Sequence, residues 1–194
     1  MHGNLSNFPE IPVLQADIST VTAQEVFKLT GLKPGELDVL DGSPPCQGFS
    51  HAGRRKVRDE RNDLFREFVR LVREIRPRVF VMENVAGMAS GRMKGRFIEI
   101  MKSLKALDYR VRCRLMDSRY YEVPQARRRL IFIGVRKDLG LEPVFPRPLT
   151  RIITVREAFK GLPPQAEDRP MPDWLRKVAP QIKAGMNFKH VATI

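Results

Sequence analysis

Leu37-Asp38-Val39-Leu40-Asp41-Gly42-Ser43-Pro44-Pro45-Cys46-Gln47-Gly48-Phe49-Ser50 holds one of the two cysteines of this 194-residue chain. Its first four residues read as a short buried strand. The proline-led turn comes directly after them, so Cys46 is presented past a strand's C-terminal end. An open α/β sheet builds its ligand crevice at that end of its strands. A thiol there is poorly placed for core filling and well placed to act as a nucleophile, provided positive charge or backbone donors favour the thiolate. Arg54, Arg55, Lys56 and Arg58 follow closely in sequence and supply such charge.

Outward from this turn the chain alternates strand and helix, the pattern of an α/β layer fold. Thr22-Ala23-Gln24-Glu25 has capping-box spacing and opens a short helix that ends near Gly31. Asn62 to Arg76 is strongly amphipathic, with Leu64, Phe65, Phe68, Val69, Leu71, Val72 and Ile75 on one face, and Pro77 stops it. Arg78 to Met82 reads as a second buried strand with Glu83-Asn84 at its C-terminal end. A helix carrying Phe97 to Leu107 follows. Tyr109 to Met116 and Leu130 to Val135 are two more strands, and Cys113 on the first of them reads as filler. The loop between them leads into Arg127-Arg128-Arg129. Prolines recur from Pro143 onward, so the reading divides the chain into a catalytic part, 1–142, and a linker with the start of a further region, 143–194.

The formal charge is +13, which favours a polyanionic partner. Two cysteines do not make a disulfide framework. The N-terminus lacks the regions of a signal peptide and no apolar run is long enough to span a bilayer, so the expected location is cytoplasmic, with no membrane partner. No metal is expected. From residue types alone, Cys46, Glu83 and the arginines suit nucleophilic attack on an electron-poor ring in a polyanion. A thiol hydrolase stays open at this level, although His2, His51 and His190 all fall in expected loops or termini.

Five blocks in order carry a specific resemblance. Pro44-Pro45-Cys46-Gln47-Gly48-Phe49-Ser50 resembles the catalytic motif of DNA (cytosine-5) methyltransferases. Asp17-Ile18 resembles the family's acidic block at the adenine of S-adenosylmethionine, and Asn62-Asp63-Leu64-Phe65 the block whose leucine packs near that cofactor. Glu83-Asn84-Val85 and Gln125-Ala126-Arg127-Arg128-Arg129 are similar to its Glu-Asn-Val and Gln-x-Arg-x-Arg motifs. The resemblance covers roughly residues 7–139. It implies a Rossmann-like methyltransferase fold, an incomplete parallel sheet with helices on both faces.

The resemblance also implies roles. Cys46 attacks C6 of a cytosine flipped out of double-stranded DNA. Glu83 hydrogen-bonds N3 and the exocyclic amine. Arg127 binds the base carbonyl or the backbone, and Arg129 braces the acid and the nucleophile loop. Asp17, Ile18, Pro45 and Leu64 face S-adenosylmethionine. Gln47, Ser50, Arg54 and Arg55 face DNA.

Departures from the family are equally specific. Nothing before Asp17 resembles its Phe-x-Gly-x-Gly cofactor loop, and neither a full target-recognition region nor the late asparagine motif is apparent. The expectation is weak cofactor binding by this chain alone, which is then either partnered by a complementing methyltransferase chain or a truncated piece of a longer gene. Two alternatives remain. The tRNA-methylating branch shares the Pro-Pro-Cys-Gln and Glu-Asn-Val blocks, although Gly48-Phe49-Ser50 fits the DNA branch better. An inactive DNA-binding remnant would keep the basic surface without turnover.

Overall fold

The structure is a computed structural model, and it describes residues 11–45, 64–161 and 172–182. It falls into two compact units, Met1–Val155 and Arg156–Ile194. The proline-rich segment after Leu141 packs on the first unit. Phe145 is buried there, with the Arg114 guanidinium 4.9 Å above its ring, and Glu142 pairs with both Arg110 and Arg112 at 3.1 Å.

In the first unit, α1 (Ala23–Thr30) starts on a complete capping box. Thr22 Oγ1 accepts the Glu25 N–H, and the Glu25 carboxylate accepts the Thr22 N–H. It ends on Gly31 in the left-handed region, where a residue without Cβ is least strained. Then follow β1 (Val39–Gly42), α2 (Leu64–Ile75), β2 (Val79–Val85), α3 (Lys94–Lys105), β3 (Tyr109–Asp117) and β4 (Arg128–Arg136). Residues 11–16 form no strand.

The four strands make one sheet in the order β1-β2-β4-β3. β1 and β2 are parallel, whereas β4 runs antiparallel to both β2 and β3. It follows that β1, β2 and β3 share one direction and β4 is inserted between β2 and β3 against them. The expected α/β architecture holds, but the sheet is mixed rather than parallel. The reason is the connection. A parallel return needs a crossover of a dozen or more residues, usually a helix, and the segment between Asp117 and Arg128 holds only a single 3-10 turn, Ser118–Tyr120, and loop.

The expected helices on both faces are also not found among the described residues. The β1-α2-β2 and β2-α3-β3 crossovers advance in the same direction along the sheet. Right-handed crossovers advancing one way place their helices on one face. Phe68 of α2 and Phe97, Ile100 and Leu104 of α3 accordingly join one core with Phe80, Met82, Leu130 and Phe132. α1 packs on α2 through Ala23, Leu71 and Ile75. The second face carries Val79, Val81, Ile131 and Ile133, all only partly buried, with Val39 at its edge 52% exposed.

Phe80 is the centre of the core. It meets Phe68 edge-on at 5.9 Å and Tyr109 at 5.2 Å. Its ring lies so close over Gly134 that a Cβ there would sit 2.0 Å from it, so glycine is required by approach rather than by backbone angle. Gly42 is constrained in the same way by Phe68, at 2.6 Å.

Candidate active site

The C-terminal ends of β1 and β2 and the start of β4 lie together at one end of the sheet, by the strand directions above. Glu83 is inside β2, not beyond it as the sequence suggested, because the ladder to β4 continues to the pair Val85–Arg129. That register decides the site. Glu83 stands opposite Ile131, so Glu83, Arg129 and Val85 share the helix-free face. Arg129 Nε lies 2.6 Å from Glu83 Oε1 and Arg127 Nη2 lies 3.6 Å from the same oxygen. The Arg129 Nε–H is buried and does not point along a hydrogen-bonding line, so the contact is an ion pair by distance only. Arg129 is further held by its Nη1, which donates to the Arg128 carbonyl at 2.9 Å. Both guanidinium groups converge on Oε1.

Arg128 alternates to the other face and is exposed, as expected of a solvated charge. It stands opposite Asp117, whose carboxylate is held by Arg119 at 2.7 Å. Hydrogen bonding from the Arg119 side chain lowers the Asp117 pKa.

Cys46, Gln47, Ser50, Arg54 and Arg55 lie outside the described residues. The chain leading to Cys46 is described through Pro45, and it is fastened to the core. Asn84, the residue after the acid, is the single polar or charged residue among the buried ones of the described residues, at 3% exposure. Its Nδ2 donates to the Pro44 carbonyl at 3.2 Å, and its Oδ1 accepts the Val85 N–H at 2.8 Å. One amide thus ties the turn at Pro44 to the strand that carries Glu83. Sequence reading quoted Asn84 within a motif but gave it no work. A buried asparagine beside a strand-end acid was the available signal, since a buried amide needs partners.

Asp17 and Ile18 sit in an exposed turn. Asp17 Oδ1 accepts both the N–H (2.9 Å) and the hydroxyl (2.7 Å) of Ser19, and the side-chain bond, then the backbone one, lowers its pKa. The turn is fixed by a residue the sequence did not single out. Arg70 Nη2 donates to the carbonyls of Ile18 (3.0 Å) and Val21 (2.9 Å), while Glu67 and Glu74 brace the same guanidinium. No local pattern marks Arg70, because its targets are about fifty residues away. Ile18 is 40% exposed, Pro45 is exposed and Leu64 is half-buried. A carboxylate with one uncommitted oxygen beside an exposed isoleucine suits an adenine, its amine on the oxygen and its ring on the side chain. This donor set fits the adenosine end of S-adenosylmethionine. Among the described residues we find no cradle for its methionine end.

Cys113 differs from what a nucleophile needs. Burial pushes its thiol up to about 12, which leaves it protonated and inert. It stands opposite Phe132 on the core face, the filler position expected. None of the described helices is long and apolar enough to cross a membrane.

The chain is 41% identical over 162 residues to the type II methyltransferase M1.HphI of Haemophilus parahaemolyticus, covering 81% of this chain and 42% of that protein. It is 35% identical over 185 residues to the type II methyltransferase M.AquIA of a Picosynechococcus species, covering 81% of this chain and 73% of that one. A solved structure from E. coli, described as a DNA modification methyltransferase encoded within a prophage, superposes with a TM-score of 0.66 at 27% identity, over 94% of this chain and 55% of its own. The chain therefore spans about half, or less, of most of these proteins. A sequence model of the C-5 cytosine-specific DNA methylase family matches residues 6–182, and the chain belongs to that family.

Proposed function

We propose that this chain carries the base-activating half of a DNA cytosine-5 methyltransferase. The observation that supports it most is the convergence of Arg127 and Arg129 on one oxygen of Glu83, next to a nucleophile turn anchored by Asn84. On this reading a cytosine flipped from duplex DNA presents N3 and its exocyclic amine to Glu83 and its carbonyl oxygen to Arg127. Arg129 holds Glu83 in place. The Cys46 thiolate adds to C6, which pushes electron density to C5. After methylation, loss of the C5 proton and expulsion of the thiolate restore the ring and the nucleophile. S-adenosylmethionine, when bound, supplies the methyl group as a sulfonium. Asp17, Ile18, Pro45 and Leu64 hold its adenosine side. Gln47, Ser50, Arg54 and Arg55 meet the DNA backbone.

The half-covered sheet and the adenosine-only donor set support a further element. That element, whether of a longer form of this polypeptide or of a complementing one, supplies the methionine cradle and target recognition, and these 194 residues by themselves bind S-adenosylmethionine weakly. The regions 1–142 and 143–194 are then the catalytic part and the lead into that recognition region.

The test is covalent capture. The chain is incubated with S-adenosylmethionine and either duplex DNA or RNA containing 5-fluorocytosine, alone and with the missing parts of the Haemophilus relative added, and adducts are mapped by mass spectrometry. An adduct on Cys46 with DNA, absent in Cys46→Ala, is expected. Adducts with RNA alone would move the function to the tRNA branch. No adduct under any condition, with DNA binding intact, would identify an inactive remnant.

A further inference from the structure

Ser118 lies just past the last rung of the β3–β4 ladder, which is the pair Asp117–Arg128. The next pair along an antiparallel ladder is Ser118–Arg127. Half of that rung is ordinary: the Ser118 N–H donates to the Arg127 carbonyl at 3.0 Å. The other half would need the Ser118 carbonyl to accept the Arg127 N–H. That carbonyl is already taken, because the chain turns there and the Tyr121 N–H donates to it at 3.0 Å. The Ser118 hydroxyl stands in for it. Oγ accepts the Arg127 N–H at 3.2 Å and donates its own proton to the Gln125 carbonyl at 2.5 Å. One hydroxyl thus lengthens the ladder by a rung and closes the turn behind it.

The consequence concerns Arg127. Strand residues two apart share a face, so a rung at 127 places Arg127 on the side of Arg129 and Glu83, and it is there that its Nη2 approaches Glu83. Without this rung Arg127 would belong to a loop whose side-chain direction nothing fixes. Its side chain is 51% exposed and approaches Glu83 only at 3.6 Å. We propose that Ser118 is a positioning residue: its hydroxyl orients Arg127 for the base or the DNA backbone. This rests on the assignment of Arg127 given above, and concerns how the arginine is aimed rather than what it binds.

The experiment has two readouts on the same variants, Ser118→Ala, Ser118→Thr, Arg127→Ala and the double variant Ser118→Ala/Arg127→Ala. The first needs no DNA. Nitrogen-15 relaxation at the Arg127 and Arg129 Nε–H groups of the free chain reports their order on the ps–ns scale. Ser118→Ala is expected to disorder Arg127, to leave Arg129 as it was, and to leave the melting temperature within about two degrees; Ser118→Thr, which keeps the hydroxyl, restores Arg127. The second is DNA affinity as a function of salt. Ser118→Ala is expected to weaken binding roughly five- to tenfold, the scale of one hydrogen bond, and to add nothing in the Arg127→Ala background. An Arg127 that stays equally ordered in Ser118→Ala overturns the proposal, as does additivity of the two substitutions in DNA binding. Loss of Arg127 order in a chain that binds no DNA supports the positioning role and removes the functional assignment instead.

Discussion

Asn84→Ala and Asn84→Asp probe how tightly the nucleophile turn depends on one amide. Asn84 is nearly fully buried and makes two hydrogen bonds, one to each side of the site. In the alanine variant the Val85 N–H and the Pro44 carbonyl lose their partner together. An orphaned buried group costs roughly 1–3 kcal/mol, and water can reach the Pro44 side in part. The expected loss is therefore about 2–4 kcal/mol. Aspartate keeps the acceptor for Val85 but sets a carboxylate oxygen against the Pro44 carbonyl. Only its protonated form can donate there, so folding raises the pKa of this introduced carboxyl above its unfolded value of about 3.9. A raised folded pKa means the stability is present below the unfolded pKa and is lost as pH rises through the folded one. The difference in stability between Asn84→Asp and the unsubstituted chain should thus shrink on acidification from pH 7 towards pH 4. Urea unfolding followed by far-UV circular dichroism at a series of pH values measures both effects. An alanine variant within 0.5 kcal/mol (the scale of a neutral surface change), or an aspartate deficit that does not change with pH, would show that Asn84 does not fasten Pro44 to the strand.

Three further outcomes follow from the geometry. Gly134→Ala forces a Cβ to 2.0 Å from the fully buried Phe80 ring, so overpacking should cost about 1–3 kcal/mol; combining it with Phe80→Leu should recover part of that loss in thermal melts, and simple additivity would count against the contact. Burial raises the Tyr109 hydroxyl, which donates to the Pro77 carbonyl, to about 12. The neutral form is the one the fold favours, so its stability contribution is whole below pH 10 and is lost as pH rises from about 10 to about 12; the total is roughly 2–3 kcal/mol. Tyr109→Phe should flatten that alkaline slope in urea titrations. Iodoacetamide at pH 8 should spare Cys113 in the folded chain, because burial holds its thiol near 12, and should label it in urea; modification of Cys113 as fast folded as unfolded would contradict its core position.

Much of the site was legible because its chemistry demands residue types in order. The Pro-Cys turn after an apolar strand, the acid at Glu83 and the paired Arg127 and Arg129 stand out from local sequence, whereas Asp17-Ile18 is singled out only by its resemblance to a family block. The capping box at Thr22 and the amphipathic run ending at Pro77 marked α1 and α2 for the same reason, since caps and periodicity act over a few residues. The sequence reading places Glu83 after its strand and starts the last strand at Leu130. The structure sets Glu83 within β2 and starts β4 at Arg128, with Arg127 just before it, because strand ends are set by pairing and β2 and β4 extend each other as far as Val85 and Arg129.

What the sequence determined by itself was the kind of chemistry: a thiol, an acid, guanidinium groups and an excess of positive charge, in the order of one family. Tertiary structure alone decided how they meet. The reversal of β4 between two parallel strands puts Arg127 and Arg129 on the face of Glu83, and a register slip of one residue would point both arginines to the opposite face. The Asn84–Pro44 and Arg70–Ile18 hydrogen bonds join residues 40 and 52 positions apart. No local preference encodes such contacts; they exist because the packed sheet and α2 bring side-chain donors to carbonyls distant in sequence.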